Sequence, residues 1–230
     1  MIGIIAAMQL ELESIKRKIE NAREETVSGI TYITGSIYSY PVVCAVCGVG
    51  KVNAAVCAQT MILKYAPEAI INTGVGGALS KDLKVCDVVV GNSAVQHDFD
   101  TSPLGDEKGF VSTVNITHFP LDEALSNKLI ASLTFLGIHA KSGVIATGDQ
   151  FVCDPRVKEE IVSRFDAKAC EMEGGAIAHV CFMNNTPCAI LRAISDGADD
   201  GATLSYQEFA EIAANQSVRA LLHFIKTSLA

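Results

Sequence analysis

Cys170-Glu171-Met172-Glu173-Gly174-Gly175-Ala176-Ile177-Ala178-His179-Val180-Cys181 leads, across a short apolar stretch, into Arg192-Ala193-Ile194-Ser195-Asp196-Gly197-Ala198-Asp199. Gly174 to Met183 reads as a helix and Cys188 to Ala193 as a buried strand. A helix returning into a strand is the repeating step of an α/β fold. Carboxylates stand where these apolar segments begin and end, which suggests an acid/base site as well as packing.

The same alternation extends outward along the chain. Ile2 to Ala6, Ile30 to Ile37, Val42 to Cys47, Ala69 to Thr73, Asp87 to Gln96 and Lys141 to Ala146 read as further strands. Leu10 to Asn21, Val52 to Tyr65, Leu121 to Leu136, Pro155 to Phe165 and Tyr206 to Ser228 read as helices. In the last of these, Tyr206, Phe209, Ala210, Ala213, Val218, Leu221, Leu222 and Ile225 follow a helical stripe, and Ser205-Tyr206-Gln207-Glu208 fits a capping box. The irregular stretch from His97 to Pro120 reads as a loop or lid.

Composition narrows the class. The chain has 230 residues, 49% of them hydrophobic, enough to bury a large core in one domain. With 26 acidic against 18 basic side chains the net charge is -8, and the basic residues are scattered, which argues against nucleic acid as a partner. Met1 to Met8 lacks a basic leader and runs into Gln9, Glu11 and Glu13, so it reads as a strand and the protein as cytoplasmic. No apolar run approaches the roughly 18 residues of a membrane span.

The eight cysteines sit mostly in apolar runs and read as buried, reduced thiols. Cys44 and Cys47 have CxxC spacing, but on a strand positions i and i+3 face opposite ways. His97, His118, His139, His179 and His223 form no metal-ligand pattern. His179 reads as a packed helix residue. No metal and no organic cofactor is expected.

Two glycine-rich segments, Gly48-Val49-Gly50-Lys51 and Gly74-Val75-Gly76-Gly77, read as turns after strands that could set backbone N–H groups against a ligand or serve only as tight connections. Neither matches a nucleotide signature. Glu171 and Glu173 are two apart, so on a regular element only one of them would enter a site. Glu11 follows the first strand and Asp196 the last. Any one of these acids could be a solvated surface group, but several at strand exits suit a reaction in which one acid protonates a leaving group and another carboxylate activates water.

The segments Gly3-Ile4-Ile5-Ala6-Ala7-Met8, Ile71-Asn72-Thr73-Gly74, Thr147-Gly148-Asp149-Gln150-Phe151-Val152, Glu171-Met172-Glu173, Ser195-Asp196 and Leu204-Ser205-Tyr206 resemble the 5′-methylthioadenosine/S-adenosylhomocysteine nucleosidases of the nucleoside phosphorylase superfamily. The resemblance spans nearly the whole chain. It implies a three-layer α/β/α sandwich with a mixed central β-sheet, a homodimer, and hydrolysis of the N-glycosidic bond to adenine and a 5-thio-substituted ribose.

By that resemblance Asp196, oriented by Ser195, is the general acid toward adenine N7, and Glu11 is the base that activates water. Glu173 would hold the ribose 2′- and 3′-hydroxyls, and Arg192 would steady this cluster. Phe151 would stack on adenine, with the Val152 backbone reading its edge. Met8 and Met172 would line the ribose, Tyr206 would cover the 5′ substituent, and Gly77 and Glu171 belong to the same binding set. The partner subunit's Val49, Thr101 and Leu104 would close the alkylthio pocket.

Singly, Phe151 and Tyr206 also read as core aromatics, Met8 and Met172 as gap fillers, and Arg192 as a structural ion-pair partner. Val75 stands where many members of the family carry serine, and the segment from Asp100 to Pro120 departs from the family's usual dimer-side loop. Three alternatives stay open: phosphorolysis of a purine nucleoside on the same fold, hydrolysis of a related adenine or futalosine-type nucleoside, and a nucleoside-binding protein without turnover. Phosphorolysis needs cationic clamps for the anion, and Arg17 and Arg23 are the only arginines in the first 150 residues.

Overall fold

A computed structural model describes residues 1–199 and 201–229, with the side chain of Leu204 outside the description. Ten strands alternate with six helices in it: β1 Ile2–Ala6, α1 Gln9–Lys16, β2 Glu20–Val27, β3 Ile30–Ile37, β4 Tyr40–Val46, α2 Lys51–Tyr65, β5 Ala69–Ala78, β6 Val88–Gln96, β7 Phe119–Pro120, α3 Glu123–Phe135, β8 Ala140–Thr147, α4 Pro155–Phe165, β9 Ala167–Glu171, α5 Gly174–Met183, β10 Cys188–Asp196 and α6 Ala202–Ser228.

All ten strands join one mixed sheet. From its open edge the order is β2-β3-β4-β1-β5, and β5 runs parallel to β10. Beyond β10 the sheet curls through β6, β8 and β9, and β9 pairs back with the end of β5 through Gly77 and Ala78. This closure brings the carboxyl end of β9 to the same place as those of β1, β5 and β10.

Alternation within the buried strands sends side chains to two separate layers. Ile5, Val43, Ala45 and Ile70 pack with Ala54, Cys57, Ala58 and Met61 of α2 and with Ile177 and Cys181 of α5. Ile2, Ile4, Val42 and Ile71 pack on the other face with α1, α3 and α6, through Leu12, Leu129, Leu221, Phe224 and others. Each such side chain, fully withdrawn from water, contributes roughly 2 kcal/mol. The fold is therefore the expected three-layer α/β/α sandwich about a mixed sheet. Strands β1, β5 and β10 are buried at every position, and each opens on the apolar run by which it is read as a strand.

Three strands escaped the sequence reading. β2, Glu-Asn-Ala-Arg-Glu-Glu-Thr-Val, is an exposed edge strand without an apolar face, and the helix expected to reach Asn21 ends at Lys16 instead. β7 and β9 are short. The capping box proposed at Ser205 is also corrected: α6 begins one turn earlier, at Ala202, with Gly201 at its cap. Likewise Gly74 to Gly77 is not a turn, because β5 continues through all four residues to Ala78. Cys44 and Cys47 are buried on opposite sides of the sheet, and both thiols are free. No helix among the described residues is long and apolar enough to cross a membrane.

Candidate active site

The strand ends that meet at the closure of the sheet enclose a cavity of about 570 Å³, measured out to its open mouth. Its lining includes Met8, Glu11, Val49, Gly77, Phe151, Val152, Glu171, Met172, Glu173, Ser195, Asp196 and Tyr206. Four acidic residues thus line one space, the Glu171 side chain being buried against Arg192, and among the described residues no lysine or arginine lines it.

Glu11 lies in the first turn of α1, where its carboxylate reaches back over the helix start. Oε2 accepts the N–H groups of Ala7 and Met8 at 2.9 Å each, and Oε1 accepts that of Val75 at 3.0 Å. Gly74 permits this approach, since a Cβ there would lie 2.6 Å from Glu11 Oε1. Burial raises the Glu11 pKa above the ordinary carboxylate value, while the Arg192 charge and the three N–H groups oppose the rise.

Asp196 ends β10. Its Oδ2 lies 2.8 Å from Ser195 Oγ and its Oδ1 accepts the Ala198 N–H at 2.9 Å. Burial again raises the pKa, against the opposing effect of those two hydrogen bonds. Ser195 Oγ is also 3.4 Å from the Gly76 carbonyl oxygen. A rotating hydroxyl can therefore accept a hydrogen bond from protonated Asp196 while donating one to the Gly76 carbonyl.

Glu171 and Glu173 both line the cavity, contrary to the expectation that only one would. They do not share a regular element: Glu171 is the last residue of β9 and Glu173 the cap of α5. Glu171 Oε2 accepts the Glu173 N–H at 3.0 Å and the Gly174 N–H at 2.7 Å, so a carboxylate covers the start of a helix, a favourable position for negative charge. Its other oxygen accepts the Thr147 hydroxyl, which in turn accepts the Gly175 N–H at 2.6 Å. Glu173 Oε1 accepts the Gly50 N–H at 2.8 Å. Burial, reinforced by the Glu171 charge, pushes the Glu173 pKa up to about 7, against the pull of Arg192.

Arg192 does not line the cavity. It is fully buried behind Glu171, to which Nε and Nη2 both donate, and it also donates to the Leu191 carbonyl and to Asn72 Oδ1. Asn72 Nδ2 donates to the Ile5 carbonyl at 3.0 Å, tying the ion pair to β1. Arg192 thus supports Glu171 from behind the cavity wall, the steadying position that the resemblance implies for it, without reaching the cavity itself.

Opposite the acids, Phe151 and Tyr206 meet edge to face with ring centroids 5.5 Å apart, and the Tyr206 hydroxyl lies 3.1 Å from Met8 Sδ. Phe151 is 44% exposed at the mouth. Val49, expected from a second subunit, lines the cavity of its own chain. Thr101 and Leu104 stand away from that cavity: Thr101 bonds Asp106 at 2.8 Å and Leu104 is 85% exposed. His179 packs on Phe119 with ring centroids 4.5 Å apart, as expected for a structural residue.

Sequence reasoning passed over Asn72, Thr147 and Gly50, which hold the acids without being acids. Asn72 and Thr147 sit in segments that carried the family resemblance, and Gly50 in a glycine-rich turn, so the signal was present without a role attached.

A cavity walled by acidic residues at converging strand ends suits an enzyme that stabilises positive charge on a bound substrate. A family model described as the phosphorylase superfamily matches residues 1–226, and the chain belongs to that superfamily and, within it, to the 5′-methylthioadenosine/S-adenosylhomocysteine nucleosidases. The enzyme of that name from Shewanella piezotolerans is 35% identical over 228 residues, covering 98% of both chains. The nucleosidase of Neisseria meningitidis, solved with methylthio-immucillin-A, superposes with a TM-score of 0.95 at 36% identity, covering 98% of each chain. A futalosine hydrolase from Helicobacter pylori also superposes, with a TM-score of 0.93 at 35% identity over 97% of this chain and 96% of its own.

Proposed function

We propose that the chain, as one catalytic domain, hydrolyses the N-glycosidic bond of 5′-methylthioadenosine and S-adenosylhomocysteine, releasing adenine and the 5-thio-substituted ribose. The observation that carries this reading is the charge of the cavity wall: Glu11, Glu173 and Asp196 line it beside Glu171, whose own charge Arg192 balances from behind, and no lysine or arginine lines it among the described residues. Such a wall favours a cationic sugar and disfavours an anionic nucleophile such as phosphate.

The reaction follows from the positions of the acids. Asp196, with its raised pKa, carries the proton to adenine N7 as the C–N bond breaks. The electron pair of that bond leaves with the base, and positive charge develops on the ribosyl ring, where ionised Glu173 stabilises it and grips the 2′- and 3′-hydroxyls. Glu11 takes a proton from a water that attacks the anomeric carbon, and its burial makes it a stronger base than a surface carboxylate. Acid and base act from opposite faces of the sugar, as in inverting glycoside hydrolysis. Phe151 and the Val152 backbone hold the base, Met8 and Met172 the ribose, and Tyr206 the 5′ substituent.

The chain acts as a homodimer in this proposal. Val52, Val56, Phe182 and Met183 are exposed apolar side chains on the neighbouring helices α2 and α5, a patch suited to a second copy. Leu104, free of its own chain's cavity, would extend toward the partner's alkylthio pocket. The likeness to a futalosine hydrolase supports a second substrate reading on the same acids. Adenine release from 5′-methylthioadenosine and S-adenosylhomocysteine, measured beside cleavage of futalosine, separates the two: turnover of futalosine alone would overturn the assignment.

A further inference from the structure

We propose that Lys51, Asp98 and Asp149 form a closed ring that positions Glu173 through the Gly50 N–H. Lys51 Nζ donates to Asp98 Oδ1 at 2.7 Å, the Asp149 N–H donates to Asp98 Oδ2 at 2.8 Å, and the Lys51 N–H donates to Asp149 Oδ1 at 2.8 Å. Three segments far apart in the chain are joined: the start of α2, the exit of β6 and the exit of β8. None of the three residues lines the cavity.

The ring acts on the residue next to it. Gly50 precedes Lys51 and has φ +98°, a conformation that a side chain would strain, and its N–H points to Glu173 Oε1 at 2.8 Å. With the Lys51 backbone held by Asp149 and its side chain by Asp98, the peptide that follows Gly50 is fixed, and the one before it, which presents the Gly50 N–H, is held between that anchor and Asn53 Nδ2, which donates to the Val49 carbonyl at 2.7 Å. Asp98 is suited to the task. Its pKa lies below the ordinary value even though burial pushes it upward, because the Lys51 and Asp149 hydrogen bonds outweigh that effect. It therefore remains an anion with one oxygen for each donor. The Lys51–Asp98 pair is only partly exposed, at 18% and 26%, which shields it better than a surface ion pair.

Asp98 is a positioning residue in this account, and its effect on rate rests on the reading of Glu173 given above. Asp98→Asn keeps the shape but puts an NH2 group against a donor, so one arm of the ring breaks. Amide hydrogen exchange at Gly50, followed by NMR, reads the positioning without any reaction: the N–H is protected in the native protein and exchanges faster in Asp98→Asn and in Lys51→Met, at unchanged protection of the β5 core. Equal protection in native and variant proteins overturns the ring.

The rate is read as a double-mutant cycle on adenine release. In the native background Asp98→Asn lowers kcat about tenfold or more with KM nearly unchanged. In a Glu173→Gln background the same substitution has no further effect. A loss of equal factor in both backgrounds, or a change confined to KM, contradicts action through Glu173. If the native enzyme releases no adenine at all, the assigned reaction falls, while exchange at Gly50 still decides the ring.

Discussion

The two sides of the cavity are built differently. On the acid side every carboxylate is buried and held by neighbours: Glu11 by three backbone N–H groups, Glu171 by Arg192 and the start of α5, Asp196 by Ser195 and Ala198. On the mouth side Phe151 and Val49 stand about half exposed and face their neighbours mainly through apolar contact. Bond-breaking groups need fixed geometry before substrate arrives, because a carboxylate that reorients during the reaction loses most of its electrostatic advantage. Groups that receive a base and a variable 5′ substituent need shape and access. The division predicts that substitutions on the acid side lower kcat and those at the mouth raise KM.

The largest effect is expected at the acid. Asp196→Asn cannot deliver a proton and lowers kcat for adenine release by about a thousandfold; a loss smaller than tenfold would break the comparison. Gly74→Ala comes next. Its methyl would meet Glu11 at 2.6 Å and displace the base, so kcat falls by roughly a hundredfold although no catalytic group is removed. Steady-state kinetics with a thermal-unfolding control separates this displacement from misfolding.

At the mouth, Phe151→Ala is expected to raise KM about tenfold and to leave kcat within a few-fold, the loss of one stacking surface. A kcat effect as large as that at Gly74 would show that the two sides do not divide the work. The smallest effect concerns stability. Glu173 has its folded-state pKa raised to about 7, from an ordinary value of 4.5. The folded protein therefore favours the protonated carboxyl, and stability falls as pH rises from the lower value through the higher one. Glu173→Gln removes that loss: its Tm should exceed the native value by a few degrees at pH 8, with the gain shrinking toward pH 4.5. Scanning calorimetry at the two pH values tests the sign.

The sequence carries the acid side better than it carries what supports it. Glu11 and Asp196 stand at the ends of apolar runs, so their approach to one another follows from a parallel arrangement of β1, β5 and β10. The burial of Arg192 could not be read in the same way. Its side chain enters a space that exists only because β9 returns to β5, and β9, Ala-Lys-Ala-Cys-Glu, is too short and too rich in alanine to announce itself as a strand. The same closure makes room for both Glu171 and Glu173, where spacing in the chain alone admits one. β2 was hidden for the opposite reason, since an edge strand solvated on both faces has no apolar alternation. Val49 was assigned to a partner through the resemblance, whereas the turn before α2 folds it over its own cavity.

Adenine release from 5′-methylthioadenosine, followed by chromatography with and without inorganic phosphate, tests most directly whether this acid wall activates water. The account predicts full release in phosphate-free buffer, no acceleration when phosphate is added, and a free 5-methylthioribose as the other product. Release that begins only with phosphate and yields the sugar 1-phosphate would contradict it.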